Sequence, residues 1–170
     1  MNRLLIAITM SSALALGACK KEPPKVIPDP PQRTETPTPT AVTPQGPRPG
    51  TQSHFASAMA GADTIYFDTD QYNIDSQDAA ALRRQAEYLT QYPSAGATVE
   101  GHADERGTRD YNLALGERRA NAAKNYLVSL GVAASRLRTV SYGEERPADT
   151  GSNEAAWAKN RRAVTVMIDR

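Results

Sequence analysis

Ten of the twelve prolines in this 170-residue chain fall between residues 20 and 60. Proline lacks a backbone donor and fixes φ, and here it is mixed with threonines and few large apolar side chains. Such a stretch cannot bury enough surface to offset the entropy of ordering it, so it reads as a disordered linker rather than a folded element. It would reach on the order of 125 Å as polyproline II and roughly 35 Å as a flexible coil. The alternative, a proline-motif ligand, rests on composition alone. From about Gly61 the composition becomes that of an ordinary soluble domain. The residues from 61 to 170 suffice for one core and not for two.

Ahead of the linker, Arg3 supplies a positive start and Leu4 to Leu16 is apolar, of signal-peptide length and too short to span a bilayer. Residues 1–18 are thus expected to be an export signal. It closes on Leu16-Gly17-Ala18-Cys19, which holds the chain's one cysteine. A lone cysteine cannot form an internal disulfide, and this order of signal, small residues and cysteine resembles a bacterial lipobox. That resemblance implies an N-acylated, S-diacylglycerol-modified Cys19, and several acyl chains anchor a protein stably where one does not. Lys20 in the next position implies sorting to the outer membrane.

The folding part carries 14 Lys or Arg against 16 Asp or Glu between Gly61 and Arg170, a balance that gives no basis for a nucleic-acid partner. Ile65-Tyr66-Phe67 is a short β-type run stopped by the turn-forming Asp68-Thr69-Asp70. Asp75 or Ser76 can cap a helix to about Tyr92, with Ala79, Leu82, Ala86 and Leu89 at helical spacing and Pro93 closing it. Ala97 to His102 alternates as a strand, with Val99 and Gly101 on one side and Thr98, Glu100 and His102 on the other. Thr108 caps a long second helix whose stripe is Leu113, Gly116, Ala120, Ala123, Leu127 and Leu130, ended by Gly131. Small residues on that stripe predict close packing on a sheet. A strand at Leu137 to Tyr142, a short helix at Glu154 to Lys159 and a strand at Ala163 to Ile168 complete the order. The expected class is α/β (α+β): a βαβαβ-αβ two-layer sandwich, helices on one face of a mixed sheet, strand order open.

Thr108, Asn112, Leu115 and Arg119 follow i, i+4, i+7, i+11 along one face of the second helix, which begins beside the loop holding Asp104. A carboxylate in the loop and a guanidinium further along the helix can flank one small pocket. Asp104 then receives an ammonium, Arg119 grips a carboxylate with two donors, and Leu115 packs on methylenes. Such a pocket suits a zwitterionic amino acid. A surface ion pair between Asp104 and Arg119, with Thr108 a simple cap, fits the same spacing. His102 reads as a strand-end residue that hydrogen-bonds locally. With two histidines and one cysteine there is no basis for a metal site. No cofactor is expected beyond the covalent lipid.

The run Gly101-His102-Ala103-Asp104-Glu105-Arg106-Gly107-Thr108, with Tyr111-Asn112, Ala114-Leu115-Gly116 and Arg118-Arg119-Ala120, resembles the peptidoglycan-associated lipoproteins of Gram-negative bacteria. Their globular part belongs to the OmpA-like domain superfamily. The resemblance spans about Thr64 to Asp169, including Tyr66-Phe67-Asp68 and Asn160-Arg161-Arg162. It implies non-covalent binding of the peptidoglycan stem peptide through the side-chain end of meso-diaminopimelate. Asp104 takes the ammonium and Arg119 the carboxylate. Thr108, Tyr111, Asn112 and Leu115 line the site, and backbone near Phe67 and Asp68 closes it. Ala103 stands where many members have threonine. The resemblance also implies an outer-membrane tether facing the periplasm and partners in the Tol system, including a TolB-like propeller. An enzyme is not expected: Asp104 and Glu105 are adjacent and would not straddle a sugar, and no local motif supplies a nucleophile with a base. A protein-docking module that leaves the pocket unused, or less readily a peptidoglycan hydrolase, is the alternative.

Overall fold

The structure, a computed structural model, describes residues 46–168. The export signal, Cys19 and the linker up to residue 45 lie outside the described residues. The elements are α1 (Gln52–Met59), β1 (Thr64–Tyr66), α2 (Ser76–Gln91), β2 (Gly96–His102), α3 (Arg109–Ser129), β3 (Leu137–Gly143), α4 (Glu154–Asn160) and β4 (Arg162–Ile168). A single 3-10 turn, Ala134–Arg136, leads into β3. The N-caps of α2 and α3 are among those the sequence names. Asp75 accepts the Asp78 amide at 2.7 Å, and Thr108 Oγ1 accepts that of Tyr111 at 3.3 Å. Past α3, Gly131 takes φ +96°.

One expectation is corrected at the N-terminal border. The last part of the supposed linker, 52–59, is helix α1, capped by Thr51, with Phe55 fully buried and Met59 4 % exposed. Phe55 meets the Tyr88 ring edge-on at 5.0 Å, and the Tyr88 hydroxyl reaches His54 Nδ1 at 2.8 Å and the Gly50 amide at 3.2 Å. The folded unit therefore begins before Gly61. Proline density hid this helix, which has only two buried apolar side chains and gains its stability from α2 rather than from its own pattern.

The sheet runs β1-β4-β2-β3, with β4 antiparallel to both neighbours and β2 parallel to β3. The last strand thus lies between the first two. Its inward residues Ala163, Thr165 and Met167 complete a core shared with Ile65, Val99, Leu82, Leu89 and Leu127. Thr165 Oγ1 and Gln85 Oε1 share a buried hydrogen bond at 2.7 Å, and Gln85 Nε2 donates to the Ala62 carbonyl at 2.6 Å. Leu130, placed on the apolar stripe by spacing, instead follows the end of α3 and is 37 % exposed.

α3 lies unusually close to β2. A Cβ built on Gly101 would stand 1.8 Å from the Gly116 carbonyl oxygen, and one on Gly116 would stand 2.4 Å from Ser141 Oγ. This contact sets the depth at which α3 carries its polar face past the end of β2. β2 slips register against β3 between Gly101 and His102, and the Ala103 amide donates to the Gly143 carbonyl at 2.8 Å as the chain leaves the sheet.

Gly101→Ala should destabilise the domain by about 3 kcal/mol or more, since the obstacle is backbone on both sides. Phe55→Ala should cost about 3–5 kcal/mol in denaturant unfolding. A negligible effect of the second change would remove α1 from the domain.

Candidate functional site

Three segments meet at the C-terminal end of β2: the turn after β1, the 103–107 loop, and the first three turns of α3. They enclose a cavity of about 330 Å³ lined by Thr69 and Asp70, by Ala103, Asp104, Arg106 and Gly107, and by Tyr111, Asn112, Leu115 and Arg119.

Arg119 is 0 % exposed and forms the inner wall. Its Nε donates to the Gln71 carbonyl at 2.9 Å, Nη1 to the His102 carbonyl at 2.8 Å and Nη2 to the Asp68 carbonyl at 3.1 Å. The guanidinium lies 5.2 Å from the Phe67 ring centroid. These partners are neutral, and among the described residues no carboxylate makes an ion pair with it. Burial pulls its pKa down to about 10 in spite of the nearby Asp104 charge, so it stays cationic at neutral pH. Three of its five N–H groups are used, which leaves two donors and a full charge for an anion.

Asp104 sits across the cavity and is 7 % exposed. It does not pair with Arg119. Oδ1 accepts from the Arg106 amide at 3.1 Å and Arg106 Nε at 3.0 Å, while Oδ2 accepts from Arg106 Nη2 at 2.8 Å and Arg161 Nη1 at 3.4 Å. Burial by itself raises this carboxyl, but the Arg106 and Arg161 contacts outweigh burial and hold it below its ordinary value. It is ionised at neutral pH. The alternative that the spacing left open, a surface ion pair between Asp104 and Arg119, is not formed.

Asn112, 1 % exposed, ties the loop to α3: Nδ2 faces the carbonyls of Asp104 and Arg106, each at 3.1 Å, and the Glu144 carboxylate. Leu115 is buried on the same wall, and Tyr111, 43 % exposed, donates its hydroxyl to Asp70 Oδ1 at 3.1 Å. Asp70 holds φ +57°, a left-handed conformation that aspartate tolerates better than most residues.

Five of the eight site residues named from sequence line this cavity: Asp104, Arg119, Tyr111, Asn112 and Leu115. Thr108 is an exposed helix cap outside the lining. Phe67 and Asp68 do not close the cavity with backbone. Both line a neighbouring hollow with Asp78 and Arg161, and their carbonyls are held by Arg161 Nε at 3.0 Å and by Arg119. The turn advances two further residues, so Thr69 and Asp70 take that wall. Sequence reading missed the part played by Arg106, whose place in a loop gives no spacing signal. Arg161 was visible within Asn160-Arg161-Arg162, which the resemblance includes, and not as a named site residue. Yet it is 7 % exposed and bridges the Phe67 carbonyl, Asp104 and, at 2.9 Å, Glu154.

His102 also departs from expectation. It is 2 % exposed, and neither ring nitrogen has a hydrogen-bond partner of good geometry; Glu100 Oε2 is 3.9 Å away and the Tyr142 ring 5.5 Å. Its carbonyl, rather than its ring, serves the site. Among the described residues no cluster of three or more His, Cys, Asp or Glu side chains is placed to hold a metal.

Residues 66–161 match the model of the OmpA family. The peptidoglycan-associated lipoprotein of Rhizobium meliloti (strain 1021) is 45 % identical over 166 residues, covering 98 % of this chain and 88 % of that one. The crystal structure of the peptidoglycan-associated lipoprotein from Burkholderia pseudomallei superposes with a TM-score of 0.60 at 44 % identity, covering 62 % of this chain and 89 % of that one. The C-terminal domain of Helicobacter pylori MotB, at 20 % identity and TM-score 0.59 over 63 % of this chain and 84 % of that one, shares the fold alone. The chain belongs to the OmpA family, among its peptidoglycan-associated lipoproteins.

Burial, then the charges of Arg162 and Arg146, pull the His102 pKa from 6.5 to about 4. The unfolded chain therefore takes up this proton at a pH where the folded one does not. Stability should fall as pH drops from 6.5 toward 4, by up to about 3 kcal/mol from this residue. Asp78, whose carboxyl burial raises, acts in the opposite sense, so the profile is read against His102→Gln, which should flatten it.

Proposed function

We propose that the cavity binds the side-chain end of meso-diaminopimelate in the peptidoglycan stem peptide, the ammonium at Asp104 and the carboxylate at Arg119. The observation that carries this reading is the buried Arg119 guanidinium, tied to carbonyls alone and facing a small cavity with an ionised carboxylate on its other wall. A buried cation without a counter-charge is costly, and a ligand carboxylate offsets that cost. Both charges of a zwitterion on one carbon are then met at once, while Leu115 faces methylenes. The names of the relatives agree with a wall-binding role.

The site is a grip and not a catalytic centre. A general acid at neutral pH needs a raised carboxyl pKa, whereas Asp104 and Glu105 are both held below theirs. In this reading Cys19 carries the lipid, the linker spans the gap, and the domain ties outer membrane to wall from the periplasmic side. A role in the Tol system with a TolB-like propeller belongs to the same proposal, on the strength of the family alone.

Calorimetric titration with a stem peptide carrying meso-diaminopimelate, and with its lysine counterpart, tests the site. The lysine peptide keeps the amine and lacks the adjoining carboxylate, so it should bind far more weakly. Asp104→Asn and Arg119→Lys should each lower affinity for the diaminopimelate peptide by about 30-fold or more. Arg119→Lys keeps the charge but not the fork, and thermal unfolding separates lost binding from a lost fold. Wall sacculi should cosediment with the protein chemically unchanged. Solubilisation of sacculi would support a hydrolase, and no binding at all would favour protein docking.

A further inference from the structure

We infer that Arg106 is a latch that sets how strong a ligand's other contacts must be for it to occupy the site: its guanidinium fills the ammonium position on Asp104 in the ligand-free protein and must leave before a ligand amine can enter. This rests on the diaminopimelate reading and deepens it. Arg106 contacts both carboxylate oxygens through Nε and Nη2, at 3.0 and 2.8 Å, the geometry a bound cation would adopt. With the Arg106 amide and Arg161 Nη1 added, every direction of approach to Asp104 is already served from within the protein.

Of the two arginines on Asp104, burial decides which one yields. Arg161 has an 8 % exposed side chain and donates to the Phe67 carbonyl from the core side. The Arg106 side chain is 38 % exposed and lies at the cavity mouth. It also has somewhere to rest. Its guanidinium carbon lies 4.3 Å from the Trp157 ring centroid, Nη1 is 3.7 Å from Glu154, and Nη2 is 3.4 Å from Thr69 Oγ1. Trp157 is held by Glu105 at 3.0 Å. Once off Asp104, Arg106 keeps the Trp157 stack and the Glu154 charge, and stays at the mouth as a second cation.

An internal competitor taxes every amine by the same factor, the fraction of protein in which Asp104 is free. A bare amine gains only Asp104 for displacing Arg106. A zwitterion also reaches the unpaired Arg119, so it still binds after a cost that both ligands share. The latch thus leaves the ratio of the two affinities to Arg119 and lowers both, so that a lone amine falls below the affinity needed to occupy the site while a zwitterion does not.

The test compares the full chain with Arg106→Gln, titrated with the meso-diaminopimelate stem peptide and with the lysine peptide, while NMR follows the Asp104 carboxyl carbon against pH. The charged groups around that carboxyl are Arg106, Arg161, Arg119 and Glu105, with Asp70 and Glu154 reaching the same arginines. The variant should bind both peptides tighter, by about the same factor of threefold or more, and its Asp104 should titrate at higher pH than in the parent. Arg106→Lys, which keeps the charge without the fork, should fall between. Weaker or unchanged binding of both peptides to Arg106→Gln overturns the latch and makes Arg106 a ligand contact or a bystander. An Asp104 titration that does not move overturns it independently of any ligand. If the parent binds neither peptide, the proposed function fails and the latch's role in binding with it. A shifted Asp104 titration would then mark the failure as that of the ligand rather than of the Arg106 contact.

Discussion

A single buried guanidinium organises the working end of this domain. Arg119 projects from the third turn of α3 and donates to carbonyls at positions 68, 71 and 102, which lie on the turn after β1 and at the end of β2. Without it those carbonyls would be buried or half-buried acceptors, each costly to leave unmet. With it the turn, the strand end and the helix hold one geometry. The same guanidinium keeps a charge that no carboxylate among the described residues neutralises. One side chain therefore supplies the scaffold of the cavity and, in the proposed reading, its affinity for an anion. The protein uses the device again at its other end, where Arg136 donates to the carbonyls of Leu89, Tyr92 and Ala95 at the close of α2.

The opposite wall follows a different rule. Asp104 is fully partnered, so its charge is held in reserve. Arg106, Arg161 and Glu154 form a small lattice of alternating charge around it, part buried and part exposed. Ion pairs near a surface exchange partners at little net cost, whereas a buried and unpaired cation does not wait cheaply. In the proposed reading, the asymmetry between an unpaired Arg119 and a partnered Asp104 makes the carboxylate contact the larger part of what a ligand gains.

Helix positions were legible because periodicity, caps and breakers are local. Asp75, Thr108 and Gly131 mark their helix ends in both sequence and structure, and the Gly116 to Ala123 stripe announced the tight packing of α3 that the Gly101 contact enforces. The polar face holding Asn112, Leu115 and Arg119 was legible for the same reason. α1 was not, since Phe55 and Met59 among alanines and serines make no pattern until Tyr88 is brought against Phe55. Phe67 and Asp68 were misplaced by two residues, because a turn's direction depends on which carbonyl an arginine 48 or 51 positions away selects.

The sequence by itself determined the elements from β1 onward, the single folding unit after the linker, and the two opposite charges on the loop and helix of the site. These depend on neighbours within a few residues, where spacing and chemistry are read directly. Only the tertiary structure decided that β4 lies between β1 and β2, that Arg119 and Asp104 face one cavity without touching, and that Arg106 and Arg161 occupy the acid. Those outcomes depend on long-range pairing and on competition among several arginines for one carboxylate. Distance and burial settle that competition, and neither is written in the order of the residues.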